Sequence, residues 1–347
     1  MLAYEFQSDG ELRLVERPVP VADDGEVTID VAATGVCGTD LKIARGQHRL
    51  FPPGTVRVPG HEVVGHVREN RSGDDRFAPG TLVALAPNVG CGTCHACAGG
   101  RSNLCTDYAG VGLTFDGGFA EVVRVPARGV AAGNVLVVDA GLEPVEVVMT
   151  EPVAAVVRGL RPLDPGPGDT VLVCGAGPIG LTTVLLARMR GAERIIVSQT
   201  SAPRRELAAA LGADDTVDPR AEDLTERVLE LTGGRGADCV VVATPVAEVF
   251  GDALRAAAVG GRVNFFAGLP SGKGEIALDA NLVHYRELIV TGSTANTPED
   301  NAEALKIVSS DPRRFRRLIT DRVPLADAPA GFARAAAGES LKLVLEP

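Results

Sequence analysis

Residues 171–174 form a short apolar run that breaks on Gly175-Ala176-Gly177-Pro178-Ile179-Gly180, and helix formers at helical spacing follow over 181–190. That order, buried strand then G-x-G-x-x-G then helix, is the context in which the glycines have work to do. The first permits the tight turn. The second lets a pyrophosphate approach the backbone, where free amides at the helix start can receive it. The third lets helix pack on strand. The weakly polar stretch 170–187 is not a membrane span, because three glycines and a proline interrupt it. The pattern then repeats, with strands expected at 194–198, 239–242 and 262–266 and helices at 202–211 and 246–256. Such alternation predicts a doubly wound parallel sheet. Cys174 and Cys239 fall in its strands and read as core residues.

A chain of 347 residues has room for a second domain. The net charge of −11 argues against nucleic acid or an anionic membrane as partner and favours a small molecule. The first twenty residues show no basic segment followed by an apolar block, so a cytoplasmic protein is expected.

Four of the seven cysteines, Cys91, Cys94, Cys97 and Cys105, lie close together in "CGTCHACAGGRSNLC". Short spacings let one loop supply four thiolates to a tetrahedral zinc ion, and Gly92, Gly99 and Gly100 allow the turns. Disulfides are the alternative, disfavoured in a reducing compartment. His95 lies inside the loop but is not needed. A four-thiolate shell is closed to substrate, so this site is structural.

A second donor set lies upstream and downstream of that loop. "GVCGTDLK" offers Cys37, "VPGHEVVGHV" offers His61 and Glu62, and "MTEPVAAVV" offers Glu151 in an apolar setting. A thiolate, an imidazole and a carboxylate can hold zinc while leaving a position for a reacting oxygen. Taken singly, Cys37 also fits a small buried hydrophobe and His61 a loop histidine.

Those motifs, with "DGGFAEVV" and "HYRELIVTGS", occur in the order seen in zinc-dependent medium-chain dehydrogenases, and the chain resembles the polyol (sorbitol) and threonine dehydrogenase branch of that family. The resemblance implies an α/β protein. A GroES-like, mostly β catalytic domain with a structural-zinc lobe would occupy residues 1–151, a Rossmann dinucleotide-binding domain 152–292, and a return to the catalytic domain 293–347. It implies that Cys37 and His61 bind catalytic zinc with Glu62 as third ligand, that Glu151 hydrogen-bonds the bound water or exchanges with Glu62, and that Thr39 passes the alcohol proton outward. It implies NAD(P) held by Gly175, Gly177, Pro178, Ile179, Gly180, Gln199, Thr200, Arg204, Gly268 and Leu269.

Departures from the family pattern matter for the substrate. Ile43 and Ala295 stand where sorbitol dehydrogenases carry a tyrosine and an arginine, which puts sorbitol itself in doubt. Lys42 stands where some relatives carry a relay histidine, and His48 is a second candidate for the substrate pocket. His284 and Tyr285 read as structural or interfacial. Gln199 replaces the acidic residue that holds the ribose hydroxyls in NAD enzymes, and Thr200, Ser201, Arg204 and Arg205 follow it. This leans slightly to NADP, with NAD use retained.

The expected function is interconversion of a secondary alcohol and a ketone on a polyol, sugar or cyclitol. A threonine-type amino-alcohol dehydrogenase and a noncatalytic zinc-binding relative are the alternatives. The apolar run "GGRVNFFAGLP" reads as a sheet edge covered by a second copy, giving a homodimer or homotetramer; an interior strand is the other reading.

Overall fold

A computed structural model describes residues 1–270 and 272–347. Two compact units emerge, one from Met1–Ala155 with Ala295–Pro347 and the other from Val156–Thr294.

The second unit is built on parallel strands in the spatial order Asp215–Val217, Arg194–Ser198, Thr170–Cys174, Ala237–Val242, Ala257–Phe265, Ile289–Gly292. Every residue of Thr170–Cys174 is buried, as a strand covered on both faces requires. The helix Pro178–Met189 that follows is buried continuously from Gly180 to Ala187. Strand order reverses between Thr170–Cys174 and Ala237–Val242, and the glycine-rich turn sits at that switch point, where ligands bind in sheets of this kind. Leu172, Ile196, Val240 and Val263 from the strands pack with Val228, Phe250 and Leu254 from the helices.

The run expected at the sheet edge is interior. Ala257–Phe265 pairs with Ala237–Val242 on one side and Ile289–Gly292 on the other. Val263 and Asn264 on it are buried, and the edge on this side of the sheet is the short, half-exposed Ile289–Gly292.

In the first unit, a sheet runs Asp321–Pro324, Leu343–Glu346, Val27–Gly35, Glu62–Asn70, Leu82–Leu85, Val135–Val137, with Val122–Val125 also paired to Val27–Gly35. The end of the chain completes this sheet, Val344 opposite Gly35 and Leu345 opposite Thr34. The inward residues of these strands, among them Ile29, Val63, Val83 and Val123, form one core cluster. No helix among the described residues is long and apolar enough to cross a membrane.

Candidate metal and cofactor sites

The sulfurs of Cys91, Cys94, Cys97 and Cys105 all lie within 4.8 Å of one another. The Cys94 and Cys105 sulfurs are 3.8 Å apart. A tetrahedral zinc ion with bonds of about 2.3 Å sets its ligands roughly 3.8 Å apart, so the loop fits that ion. Backbone amides already point at the sulfurs: Cys91 N–H donates to Cys105 Sγ at 3.2 Å and Cys94 N–H to Cys91 Sγ at 3.3 Å. Amides of Cys97 and Thr106 hold the Cys94 thiol down at about 5, whereas burial is the main force pushing Cys97 up to about 11. A bound cation would resolve that conflict by taking all four as thiolates. Gly90 is required, since a Cβ there would come 2.8 Å from Cys97 Sγ. His95 stands outside the converging group and opens the short helix His95–Ala98.

The second cluster follows from strand register. Gly35 pairs with Glu62 at the ends of two antiparallel strands, so Cys37, two residues beyond one end, faces His61 beside the other. The donor atoms of Cys37, His61 and Glu62 lie within 4.8 Å of one another. Glycines make this approach possible. A Cβ at Gly35 would overlap the Glu62 carboxylate, and one at Gly112 or Gly117 would overlap the Gly60 carbonyl. Gly60 has φ +96° and holds the turn into His61, against Phe119 of the "DGGFAEVV" segment.

Two side chains that the sequence reading passed over support this cluster. Asp40 is fully buried; its Oδ2 accepts the Cys37 N–H at 2.8 Å, and its Oδ1 lies 3.4 Å from His61 Nδ1. Burial opposes a charged imidazole at His61, but Asp40 and Cys37 outweigh it and hold its pKa well above the ordinary value. Lys342, also buried, pairs with the Glu62 carboxylate and donates to the Val36 carbonyl at 3.1 Å. Asp40 lay within a quoted motif, and only its burial distinguishes it. Lys342 carried no local signal at all.

Glu151, in the first turn of the helix Thr150–Leu160, is not part of the tight cluster. Its Oε1 accepts the Asn296 amide at 2.7 Å. Burial raises its pKa; His61, Asn296 and Lys342 oppose the rise, and Glu62 adds to it. Thr39, second in the helix Gly38–Ala44, is half-buried. Ile43 packs into a core with Phe6, Phe51 and Leu113, and Lys42 is exposed. His48 stacks edge-on against Phe51, and burial and then Arg49 depress its pKa, with His61 also in range. Burial pushes the Tyr108 phenol up to about 12.

In the second unit, Gly175 has φ +105°, a left-handed value that favours glycine, and a Cβ at Gly180 would overlap the Gly175 carbonyl. The space a Cβ would take at Gly177 is open, which fits the residue expected to meet a pyrophosphate. Pro178 and Ile179 begin the helix directly after it. Gln199 Oε1 accepts from Ser201 N–H and Thr200 Oγ1, both at 3.1 Å. Arg205 is committed elsewhere: it donates to the Gln199 and Thr200 carbonyls at 2.6 and 2.9 Å and pairs with Asp218 at 3.1 Å. Arg220 joins the same knot and, with Arg205, holds the Asp218 carboxyl down at about 2. Arg204 lies half-buried in the first turn of Ala202–Ala210. Gly268 is exposed, and Leu269 packs on the core of this unit. His284 and Tyr285 stack on each other near the sheet edge, with Tyr285 largely exposed.

Two family profiles match the chain, "Zinc-binding dehydrogenase" over residues 178–310 and "Alcohol dehydrogenase GroES-like domain" over 23–134. An L-galactonate-5-dehydrogenase of Escherichia coli (strain K12) is 33% identical over 94% of this chain and 93% of its own length. An L-threonine 3-dehydrogenase of Pyrococcus abyssi (strain GE5 / Orsay) is 35% identical over 81% of this chain and 79% of its own length. Among solved structures, a zinc-binding dehydrogenase of Sinorhizobium meliloti 1021 bound to NADP superposes with a TM-score of 0.92 at 33% identity, covering 100% of this chain and 99% of that one. With these family matches, the four-cysteine lobe and the Cys37, His61 and Glu62 cluster, the chain belongs to the zinc-containing medium-chain alcohol dehydrogenases, which act on CH–OH groups with NAD(P).

Proposed function

We propose that this dehydrogenase interconverts a secondary alcohol and a ketone on a polyhydroxylated small molecule. The observation that carries the chemistry is the convergence of Cys37, His61 and Glu62 beside Thr39 and Glu151. When bound, zinc supplies Lewis acidity to the alcohol oxygen and NAD(P) exchanges hydride with the substrate carbon. Cys37, His61 and Glu62 hold the ion, with Glu151 free to exchange with Glu62. Asp40 Oδ1, 3.4 Å from His61 Nδ1, is the carboxylate that favours Nε2 as the ligand atom and steadies the ring. The Thr39 hydroxyl takes the alcohol proton and passes it outward, since it can accept and donate at once. Gly177 and the amides at the start of Pro178–Met189 receive the pyrophosphate, and Gln199, Thr200 and Arg204 face the adenosine ribose. The relative bound to NADP adds weight to use of that cofactor beside NAD.

For the substrate, support comes from the sugar-acid dehydrogenase that matches over nearly the whole chain. The threonine dehydrogenases among the relatives favour an amino-alcohol substrate as the second reading. A screen of nicotinamide absorbance with aldonates, polyols, cyclitols and threonine separates the two. The expected result is a kcat/KM for a polyhydroxy acid at least about tenfold above threonine, or about 1.4 kcal/mol. A preference for threonine reverses the substrate reading, and no turnover by zinc-loaded protein across the panel removes the enzymatic one.

The free thiols suit the reducing cytoplasm in which we place the protein. A second copy of this chain is the partner we assign to the edge strand Ile289–Gly292, in a homodimer or homotetramer.

A further inference from the structure

We infer that Asn296 is a positioning residue for Glu151, and that Asn88, at the neck of the four-cysteine lobe, sets its amide, so that one buried hydrogen-bond chain links the lobe to the catalytic cluster. This rests on the reading of Glu151 as part of the metal pocket.

Asn88, Asn296 and Asn301 are 3%, 0% and 0% exposed, so none of their amides can turn to water. Asn296 Oδ1 accepts from Asn88 Nδ2 at 2.8 Å and from Asn301 Nδ2 at 2.9 Å. An amide oxygen has two acceptor sites, and both are taken. The Asn296 NH2 group must therefore face the other way, and there it donates to Glu151 Oε1 at 2.7 Å. Flipping the amide would set its oxygen against a carboxylate and its NH2 group against two other donors. Asn88 is oriented in turn, because its Oδ1 accepts the Tyr108 hydroxyl at 2.6 Å. Every donor from Tyr108 onward points toward Glu151, which ends the chain as the acceptor. Along the line from Tyr108 through Asn88 and Asn296 to Glu151 each donor meets an acceptor, and a buried line of this kind holds one geometry.

The chain starts at the neck of the metal loop. Asn88 precedes Cys91, Tyr108 follows Cys105, and the strands Asn88–Val89 and Ala109–Gly110 pair to close the loop at its base. Asn134 Nδ2 donates to the Asn88 carbonyl at 2.8 Å and pins this strand from behind. At the other end, Ala295 takes φ +52°, a left-handed value uncommon for a residue with a side chain, directly before Asn296. The helix Pro298–Ser310, capped by Thr297, begins just after it and carries Asn301. Asn296 is thus fixed on both sides by its own backbone, and its amide by neighbours that depend on the shape of the lobe.

The test uses the full chain with zinc in the lobe and cobalt(II) at the catalytic cluster. Visible absorption reports cobalt ligation, the rate of cobalt loss to a chelator reports its hold, and metal analysis checks the lobe. Glu151→Gln, Asn296→Ala, Asn88→Ala and the double variant Asn296→Ala/Glu151→Gln are compared with wild type. Expected are an altered spectrum and cobalt loss about tenfold faster in Asn296→Ala, the size typical of an outer partner of a metal site. Asn88→Ala should change in the same direction with its lobe zinc retained, which keeps the test alive should Asn296→Ala not fold. The double variant should go no further than Glu151→Gln alone. If Glu151→Gln shifts spectrum and rate while Asn296→Ala and Asn88→Ala leave both at wild type, the positioning chain is wrong. If Glu151→Gln itself changes neither, Glu151 is outside the metal pocket, and the reading beneath this inference falls with it.

Discussion

Lys342, just before the last strand of the chain, holds the Glu62 carboxylate across 280 residues of sequence, with both side chains almost wholly buried. Two charges removed from water compensate each other, and removing one leaves the other exposed to the full cost of burial. Lys342→Met should therefore lower the unfolding free energy of the metal-depleted protein by about 3 kcal/mol. With zinc bound, the ion supplies the missing counter-charge and the loss should shrink. Urea unfolding of both forms checks this; equal losses with and without zinc would show that the ammonium charge is not what steadies Glu62.

The two metal sites should separate by mutation. Cys94→Ser opens the closed four-thiolate shell and should remove one zinc per chain with a drop in stability, because binding and folding free energy are linked there. His61→Ala should remove or weaken the other zinc and abolish turnover with a milder effect on folding. Metal analysis of fresh protein is expected to give two zinc ions per chain. A single zinc in fully active protein would end the assignment.

The four-cysteine lobe and the glycine turn were legible because each is carried by local spacing, whereas the set Cys37, His61 and Glu62 was read through the family resemblance. The four cysteines share one loop, and Gly175, Gly177 and Gly180 share one turn. The supports under the second cluster were not legible. Asp40 differs from any surface aspartate only by its burial, and Lys342 and Asn296 arrive from the far end of the chain, after the second unit. Their partners are fixed by the pairing of Val344 with Gly35 and by the helix at Pro298–Ser310, which no local pattern announces. The misplaced sheet edge has a physical cause too. Ala257–Phe265 is interior because it pairs with a strand on each side, while the edge strand Ile289–Gly292 is too short and too exposed to stand out.

That edge is where we propose that a second copy of this chain docks. Ile289 on it, Tyr285 just before it and Val259 nearby are all exposed, at 53%, 76% and 77%. Unpaired strand groups flanked by apolar side chains are a template for another strand, and a second copy offers the same surface in return. Light scattering at micromolar concentration should give a dimer or tetramer, and Ile289→Lys should shift it toward monomer. A wild-type monomer mass would refute the assembly.

Cofactor choice turns on the corner formed by Gln199, Asp218 and their arginines. Gln199 brings no negative charge against a 2′-phosphate, but Arg205 and Arg220 are tied to backbone carbonyls and to Asp218, so Arg204 is the arginine we propose as the phosphate contact. Hydrogen bonds from Arg220 and the charge of Arg205 keep Asp218 at about 2, below its unfolded value. The stabilisation from this clamp is therefore complete above about pH 4 and is lost only as pH falls from there through about 2. Across the working range the Asp218 charge offsets one of the two guanidiniums and both are held by backbone carbonyls, so the wild type should favour NADP by less than about tenfold in kcat/KM, under about 1.4 kcal/mol. Asp218→Asn should release positive charge toward the ribose and raise that preference. Gln199→Asp should reverse it, because a carboxylate there repels the phosphate and binds the free ribose hydroxyls. Steady-state kinetics with both cofactors and one good substrate decide the matter. A wild-type preference for NAD of about tenfold or more, unmoved by Asp218→Asn, would show that none of these arginines reads the phosphate.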